Sequence, residues 1–359
     1  MLSAFAFTGW FVVVKPLRAE ILDNDLTLIY IGARIGLEHG WSHIYSLTLQ
    51  HDLFSQLRPN ASFNDGERFL SPPPFAWLLV PLMAFGAAGV VLIWVTASAA
   101  GLVAAWRIAA PGSGPSRLIW LLGAFAWYPV LYSLALAQPD VILVLVVAAG
   151  WKLAQAGKPF LAGAVLGLSV LKPQLTLLLP LVLLMSGRWK IAITWAATAA
   201  FLAIVSVLVI GPQGVADYLG LLSEARGVAN NRYYTLAYVM GPYLLSYIAQ
   251  GIIVAITGVG AYLNRHASLA RLFALGLVAT MLGSTYWHVQ DFTILVLATW
   301  LFWRDHPPAW QRWWLLVIAI AGEFAWPLTP LPMLIGVAVW FGCLIVPRSA
   351  TREMAPATA

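Results

Sequence analysis

The triplet Asp23-Asn24-Asp25 sets two carboxylates two residues apart, directly after the first apolar segment of a chain with 9% charged residues. Acidic side chains are expensive in an apolar phase and mark function by default. A pair of them at the start of the longest polar stretch points to chemistry at a membrane surface, with one acting as general base toward a hydroxyl. Asp25 has a plain alternative as a helix N-cap. The two roles are compatible, because a cap fixes the direction of the carboxylate. Asp23 is equally available. An Asp-x-Asp triplet can also hold a divalent ion for a nucleotide sugar, but that chemistry belongs on the cytosolic side. The charge pattern puts this loop on the other side, so no metal and no other cofactor is expected.

Lys172 is the sharpest feature within the apolar part. It stands near the middle of an apolar hairpin, beside Pro173 and Gln174. A lysine there either snorkels to an interface or faces a cavity and meets an anion, most simply a lipid phosphate. Trp287-His288-Val289-Gln290-Asp291 forms a polar cluster between two apolar runs. His288 binds a phosphate oxygen or carries a proton, or it closes a helix end with Asp291. Gln138 and Asp140 occupy a similar turn, where capping of the next helix by Asp140 is the simple alternative. Arg226, Arg232, Tyr233 and Tyr234 populate a further loop, either recognising an anionic or sugar acceptor or simply solvated. Together with Tyr30, Tyr45, Gln174 and Trp287, these residues describe a site that gathers a base, a buried cation and a histidine on one face. Such a site suits group transfer from a lipid-phosphate donor.

The elements that position them follow from composition. Of 359 residues, 61% are hydrophobic, and the mean hydropathy is +0.83, against roughly half apolar in a soluble domain. Long apolar runs rather than alternating ~10-residue segments exclude a β-barrel and predict an all-α polytopic membrane protein of 10 to 13 transmembrane or re-entrant helices. The net charge of +6 does not point to nucleic acid. Twelve of the twenty Lys and Arg fall in six short connections, around Arg107 and Arg117, Lys152 and Lys158, Arg188 and Lys190, Arg265 and Arg271, Arg304 and Arg312, and Arg348 and Arg352. All six fit on one side, which the positive-inside rule makes cytoplasmic. The single cysteine, Cys343, permits no intrachain disulfide.

Residues 2–14 predict a retained first helix, short for a span unless it continues past Lys15-Pro16. Residues 15–73 predict the first outer loop, with a helix beginning at Asp25. Leu26, Ile29, Tyr30 and Ala33 recur at helical spacing and suit a helix lying on the membrane surface. Trp41 and Tyr45 are placed as interface aromatics, and Asn64-Asp65-Gly66 as a turn. Residues 74–86 predict a short helix, followed by a turn at 86–89 and one span. Residues 159–187 must enter and leave in too few residues for two full spans of ~20 each, so short or re-entrant helices are expected. Residues 212–241 predict a second outer loop, and 348–359 a cytoplasmic tail. A single membrane domain covers 1–347.

At these residues the chain resembles glycosyltransferase family 87, of the GT-C superfamily of polytopic membrane enzymes. The resemblance rests on five segments in order. These are Asp25-Leu-Thr-Leu-Ile-Tyr-Ile-Gly-Ala-Arg with Gly40 and Ile44-Tyr45; Ser71-Pro72-Pro73-Pro74-Phe75 with Pro81; Ala137-Gln138-Pro139-Asp140; Gly163, Gly167 and Lys172-Pro173-Gln174 leading to Arg188-Trp189; and Ser284-Thr285-Tyr286-Trp287-His288. The departures are Ala137 for Gly, Asp140 for Asn, and Ser71 where an aromatic is common. The resemblance implies an inverting transferase using a polyprenyl-phosphate sugar, typically mannose, with a lipid or glycan acceptor. It puts the catalytic acid on Asp25 or Asp23, with Asp25 favoured because it directly precedes the Tyr-containing helix. It also implies a bacterial inner-membrane location with the active site facing outward. A transporter or flippase of a lipid-linked sugar is the alternative from a different class. Many transporters show paired halves with matching broken segments, and no such repeat is visible here.

Overall fold

Apolar runs punctuated by proline and glycine make short helices, and this fold is built largely from them. A computed structural model describes residues 9–63 and 68–347, all of them in helices and their connections. Residues 2–8 of the expected first helix, the turn at Asn64-Asp65-Gly66 and the tail 348–359 lie outside the described residues. Trp10–Val14 runs straight into Lys15–Ala19, so the first helix does continue past Lys15-Pro16. Among the described residues three helices are long and apolar enough to cross a membrane: Pro73–Ala109, Trp189–Gly227 and Leu244–Leu263. The pair Gly114–Ala126 and Tyr128–Ala135, bent by 57°, makes a fourth candidate. The remaining apolar helices, such as Asp140–Gln155 and Ile294–Arg304, are shorter than a full span and lean on their neighbours.

Leu269–Gly283 is the hub. Every residue from Ala270 to Gly283 is buried, as expected for a helix that is apolar all round. It packs on Leu179–Met185, Leu244–Leu263, Ile294–Arg304 and Leu331–Ile345. A Cβ on Gly276 would stand 2.8 Å from the Leu179 Cα, so the close approach requires glycine. Arg271 anchors one end of this hub. Its guanidinium donates to Asn264, Asp305 and the carbonyls of Cys343, Leu344 and Val346. Those carbonyls close the end of Leu331–Ile345, where four acceptors lack helical partners.

The hairpin at 159–187 is broken as expected. Pro159–Gly167 ends in a 3-10 turn, Leu168–Leu171, and a second turn, Pro173–Leu175, follows Lys172 before Leu179–Met185 returns. Gly163 and Gly167 seat the first arm on the Trp189 helix. A Cβ on Gly163 would lie 2.5 Å from the Ile191 carbonyl oxygen, and one on Gly167 2.5 Å from the Thr198 Cβ. Small residues four apart let helices approach this way.

Three expectations need correction. The break after Pro73–Leu79 and Val80–Phe85 falls at Gly86 itself (φ +70), and Gly86–Ala109 is helical from there, leaving no turn across 86–89. Residues 212–227 are helix, not open loop. The chain bends at Gly211 (φ +64) and restarts at Pro212, where a missing N–H costs nothing in a first helical turn. The loop proper holds the 3-10 turn Ala229–Arg232 and the short helix Ala237–Met240. The Asp25–Glu38 helix starts where predicted but does not lie on lipid. Leu26, Ile31, Ala33 and Ile35 are all fully buried, with Phe75 and Leu79 over one side and Leu53 and Phe54 over the other. The first loop is therefore a packed cap on the bundle.

Chain direction separates two ends. Asp140–Gln155 runs from the Gln138 turn toward Lys152, and Ile294–Arg304 from the His288 turn toward Arg304. Arg304 donates to the Ala110 carbonyl at 3.0 Å, and Arg271 to that of Val346, tying the basic connections into one end. The polar turns lie at the other. Leu244–Leu263 carries exposed Tyr243 and Tyr247 at one end and Tyr262, under the Arg265 guanidinium, at the opposite one, the pattern of aromatic belts at two membrane interfaces.

Candidate active site

Asn24, rather than Asp25, caps the first outer helix. Its side chain accepts from the Thr27 N–H at 3.2 Å and donates to the Ile21 carbonyl at 2.7 Å. Asp25 is thereby the first helical residue. The Asp25 N–H donates to the Leu136 carbonyl at 3.1 Å, and the Gln138 side-chain amide donates to the Asp25 carboxylate. Asp25 is half-buried over the bundle. Asp23 turns away. It is exposed and pairs with Arg58 at 2.9 Å, which also holds Glu20 at 2.6 Å. The Arg58 hydrogen bond holds Glu20 below the ordinary carboxylate value. The two acids, inseparable by sequence, thus occupy different environments.

Beneath Asp25, three separate turns converge on one ammonium. Lys172 Nζ lies 2.8 Å from Asp140, 2.5 Å from Asp291 and 3.0 Å from the Gln138 Oε1. The ammonium donates hydrogen bonds to Asp140 and Gln138, and its contact with Asp291 is an ion pair. Ser133 donates to Asp140 at 3.1 Å, and the His288 backbone N–H to Asp291 at 2.8 Å. Both carboxylates are fully buried and Lys172 is 9% exposed. Buried charges need such pairing and hydrogen bonding. Enclosed by two carboxylates and an amide, Lys172 fastens the turns together.

His288 occupies the loop ahead of Val289–Thr293. Its Nε2 is 3.0 Å from the Asn231 Oδ1, and the Gln290 amide is 3.4 Å from its Nδ1. Burial, opposed by Asp291 and aided by Lys172, holds His288 below its ordinary value. It is therefore neutral near pH 7, with Nε2 as donor and Nδ1 as acceptor to suit its neighbours. The Trp287 backbone N–H donates to the Asn231 carbonyl at 3.2 Å, so this loop is latched twice to the turn Ala229–Arg232. Arg232 follows Asn231 directly, donating to the carbonyls of Arg226 and Pro242. Tyr286 stacks on the His288 ring at 4.8 Å and lies within electrostatic reach of Asp291, Lys172, Asp25 and Asp140.

The expected site residues are thus sorted. Asp25, Gln138, Asp140, Lys172 and His288 are brought together, with Arg232 adjoining. Tyr45 and Trp287 are enclosed within the core at 1% and 0% exposure. Tyr45 is not an interface aromatic. It stacks between Phe69 and Tyr218, with its hydroxyl on the Ser71 carbonyl. Asp140, fully buried, serves Lys172 instead of substrate. Tyr30 packs half-buried beside the core of the first loop. Gln174, half-exposed in the turn after Lys172, takes no part in the ammonium's bonding. Asn231, Asp291 and Tyr286 were not chosen as site residues from sequence. Asp291 carried the one usable signal, a carboxylate in an apolar chain.

A model of glycosyltransferase family 87 matches residues 69–321. The chain belongs to glycosyltransferase family 87. No curated protein and no solved structure matches it. As a family 87 glycosyltransferase set in a membrane, it needs a sugar donor and an acceptor. The matched stretch holds Gln138, Asp140, Lys172, Arg232 and His288, while Asp23, Asp25, Tyr30 and Tyr45 precede it.

Proposed function

We propose that this glycosyltransferase inverts configuration, moving a sugar, most simply mannose, from polyprenyl phosphate to a hydroxyl of a glycolipid or cell-envelope glycan. The observation that supports it best is the half-exposed Asp25 carboxylate, held by Gln138 above the buried Lys172 knot. Asp25 takes the proton of the acceptor hydroxyl while its oxygen attacks the anomeric carbon opposite the phosphate. The bond from that carbon to the phosphate oxygen breaks, its electron pair leaves on the phosphate, and the anomer inverts. General base help of this kind contributes roughly 10²–10⁴-fold.

On the donor side, Arg232 and the His288 Nε2–H, the latter exchanging Asn231 for a phosphate oxygen, receive the leaving phosphate. Removing one preorganised donor of this type costs ~3–4 kcal/mol of transition-state stabilisation. The two buried carboxylates on one ammonium make the Lys172 knot itself repellent to phosphate, which favours the His288 side. The basic connections at the opposite end of the bundle support an extracytoplasmic active site in a bacterial inner membrane.

The test is transfer from radiolabelled polyprenyl-phosphate-mannose to a membrane lipid extract, with glucose and arabinose carriers in parallel. Labelled product of inverted configuration, unaffected by EDTA, is the expected result. Failure of the folded protein to transfer sugar from any of these carriers would overturn the proposal.

A further inference from the structure

We propose that Lys172 and Gln138 form a one-directional relay that orients Asp25, so that Gln138 is a positioning residue for the base and not a substrate ligand. The proposal rests on the reading of Asp25 as the base. An amide side chain has two ends, one accepting and one donating, and nothing in its shape decides which faces a neighbour. Lys172 decides it here. An ammonium only donates, so the Gln138 oxygen must face it, as it does at 3.0 Å. The NH₂ end is then forced toward Asp25, whose carboxylate it meets.

Lys172 cannot turn away, because Asp140 and Asp291 hold it from two other directions. The backbone supports the same geometry. The turn carrying Gln138 accepts the Asp25 N–H at Leu136, and Ala137, 2% exposed, holds φ +51 to aim the next residue. One carboxylate oxygen of Asp25 is thereby engaged by the Gln138 amide and the carboxylate plane fixed. The charged and titratable groups facing this arrangement include Lys172, Asp140 and Asp291 behind Gln138, and Tyr286 and His288 on the adjoining loop. Arg58 occupies Asp23 and Glu20.

Gln138→Glu and Gln138→Met keep the side-chain volume while reversing or deleting the donor. Two readouts separate the relay from the transferase reading. The first needs no turnover: infrared difference titration of the Asp25 carboxyl, assigned by subtracting Asp25→Asn. Gln138→Glu is expected to raise that titration by about one pH unit, because a like charge replaces a donor. The second is steady-state transfer. Gln138→Met is expected to lower kcat by roughly 10²-fold, the scale of a misplaced reacting group, with the donor KM within about threefold. The acid limb of kcat should move up in Gln138→Glu by the same unit. Lys172→Met/Asp140→Asn/Asp291→Asn removes the ammonium without leaving buried carboxylates, and should reproduce the Gln138→Met loss in kcat. An unmoved Asp25 titration in Gln138→Glu would overturn the relay. So would a tenfold rise in donor KM with kcat unchanged in the Lys172 variant, the signature of a phosphate ligand. Absence of transfer by wild type would sink the transferase reading alone, and the titration would still decide the relay.

Discussion

Lys172→Met is expected to destabilise the protein by about 3–5 kcal/mol, the scale for removing one partner from a buried charge cluster. The figure follows from the geometry. Asp140 and Asp291 are both fully buried, and the ammonium 2.8 and 2.5 Å away is shared between them. Without it, two carboxylates face each other where no water can reach. Ser133 and the His288 N–H remain as donors but carry no charge. The assay is thermal unfolding in mild detergent, followed by tryptophan fluorescence. At roughly 2–4 °C per kcal/mol, the midpoint should fall by on the order of 10 °C. The compensated variant Lys172→Met/Asp140→Asn/Asp291→Asn should recover most of the loss, since neutral replacement of a whole buried ionic group is often near neutral. A single variant melting with wild type, or a compensated variant no better than the single, would refute the reasoning.

Gly163→Val should separate the broken hairpin from the Trp189 helix, because a Cβ would stand 2.5 Å from the Ile191 carbonyl oxygen. The expected loss is about 1–3 kcal/mol in the same melt, with Gly220→Ala, which meets nothing within 4 Å, as the unaffected control. Ala137→Gly should be stabilising by up to about 1 kcal/mol, since φ +51 disfavours a Cβ more than the added chain freedom costs; Ala137→Val should melt lower than wild type. Arg58→Ala should weaken the first loop near pH 7, measured as faster proteolysis. Glu20 is held below its ordinary value by Arg58, so its contribution is present above pH ~4.3 and lost as pH falls through the lowered value. The variant and wild type should therefore converge in acid, and equal differences at pH 7 and in acid would contradict the pairing.

The fold class was legible because an apolar chain with few charges has one stable answer, and the broken hairpin at Lys172 was legible because residues 159–187 are too few for two spans. The same rarity of charge made Lys172, His288 and Asp25 visible as site residues. Their partnerships were not. Asp140 and Asp291 meet Lys172 only after three distant turns converge, so the cation expected for a phosphate proves to be satisfied by protein. Asp23 and Asp25 differ because Arg58, far along the loop, takes one and Gln138, on another turn, takes the other. The burial of Tyr45 and Trp287 was not legible, because an aromatic with a polar tip suits an interface, a ligand or a core equally well, and both lie in the core. Glu323, a lone acid near a helix end, gains its role from the 57° bend, where it accepts the Tyr128 N–H at 3.1 Å. Asn231 is neutral in a loop with two arginines and carried no signal at all.

The most direct measurement is the transfer rate of Asp25→Asn beside Asp23→Asn, each matched to wild type for folded protein in the same vesicles. Loss of at least about 10²-fold in Asp25→Asn, with Asp23→Asn within a few-fold of wild type, is the expected result. Retained transfer in Asp25→Asn, or its loss in Asp23→Asn instead, would contradict the assignment of the base and with it the function proposed for this site.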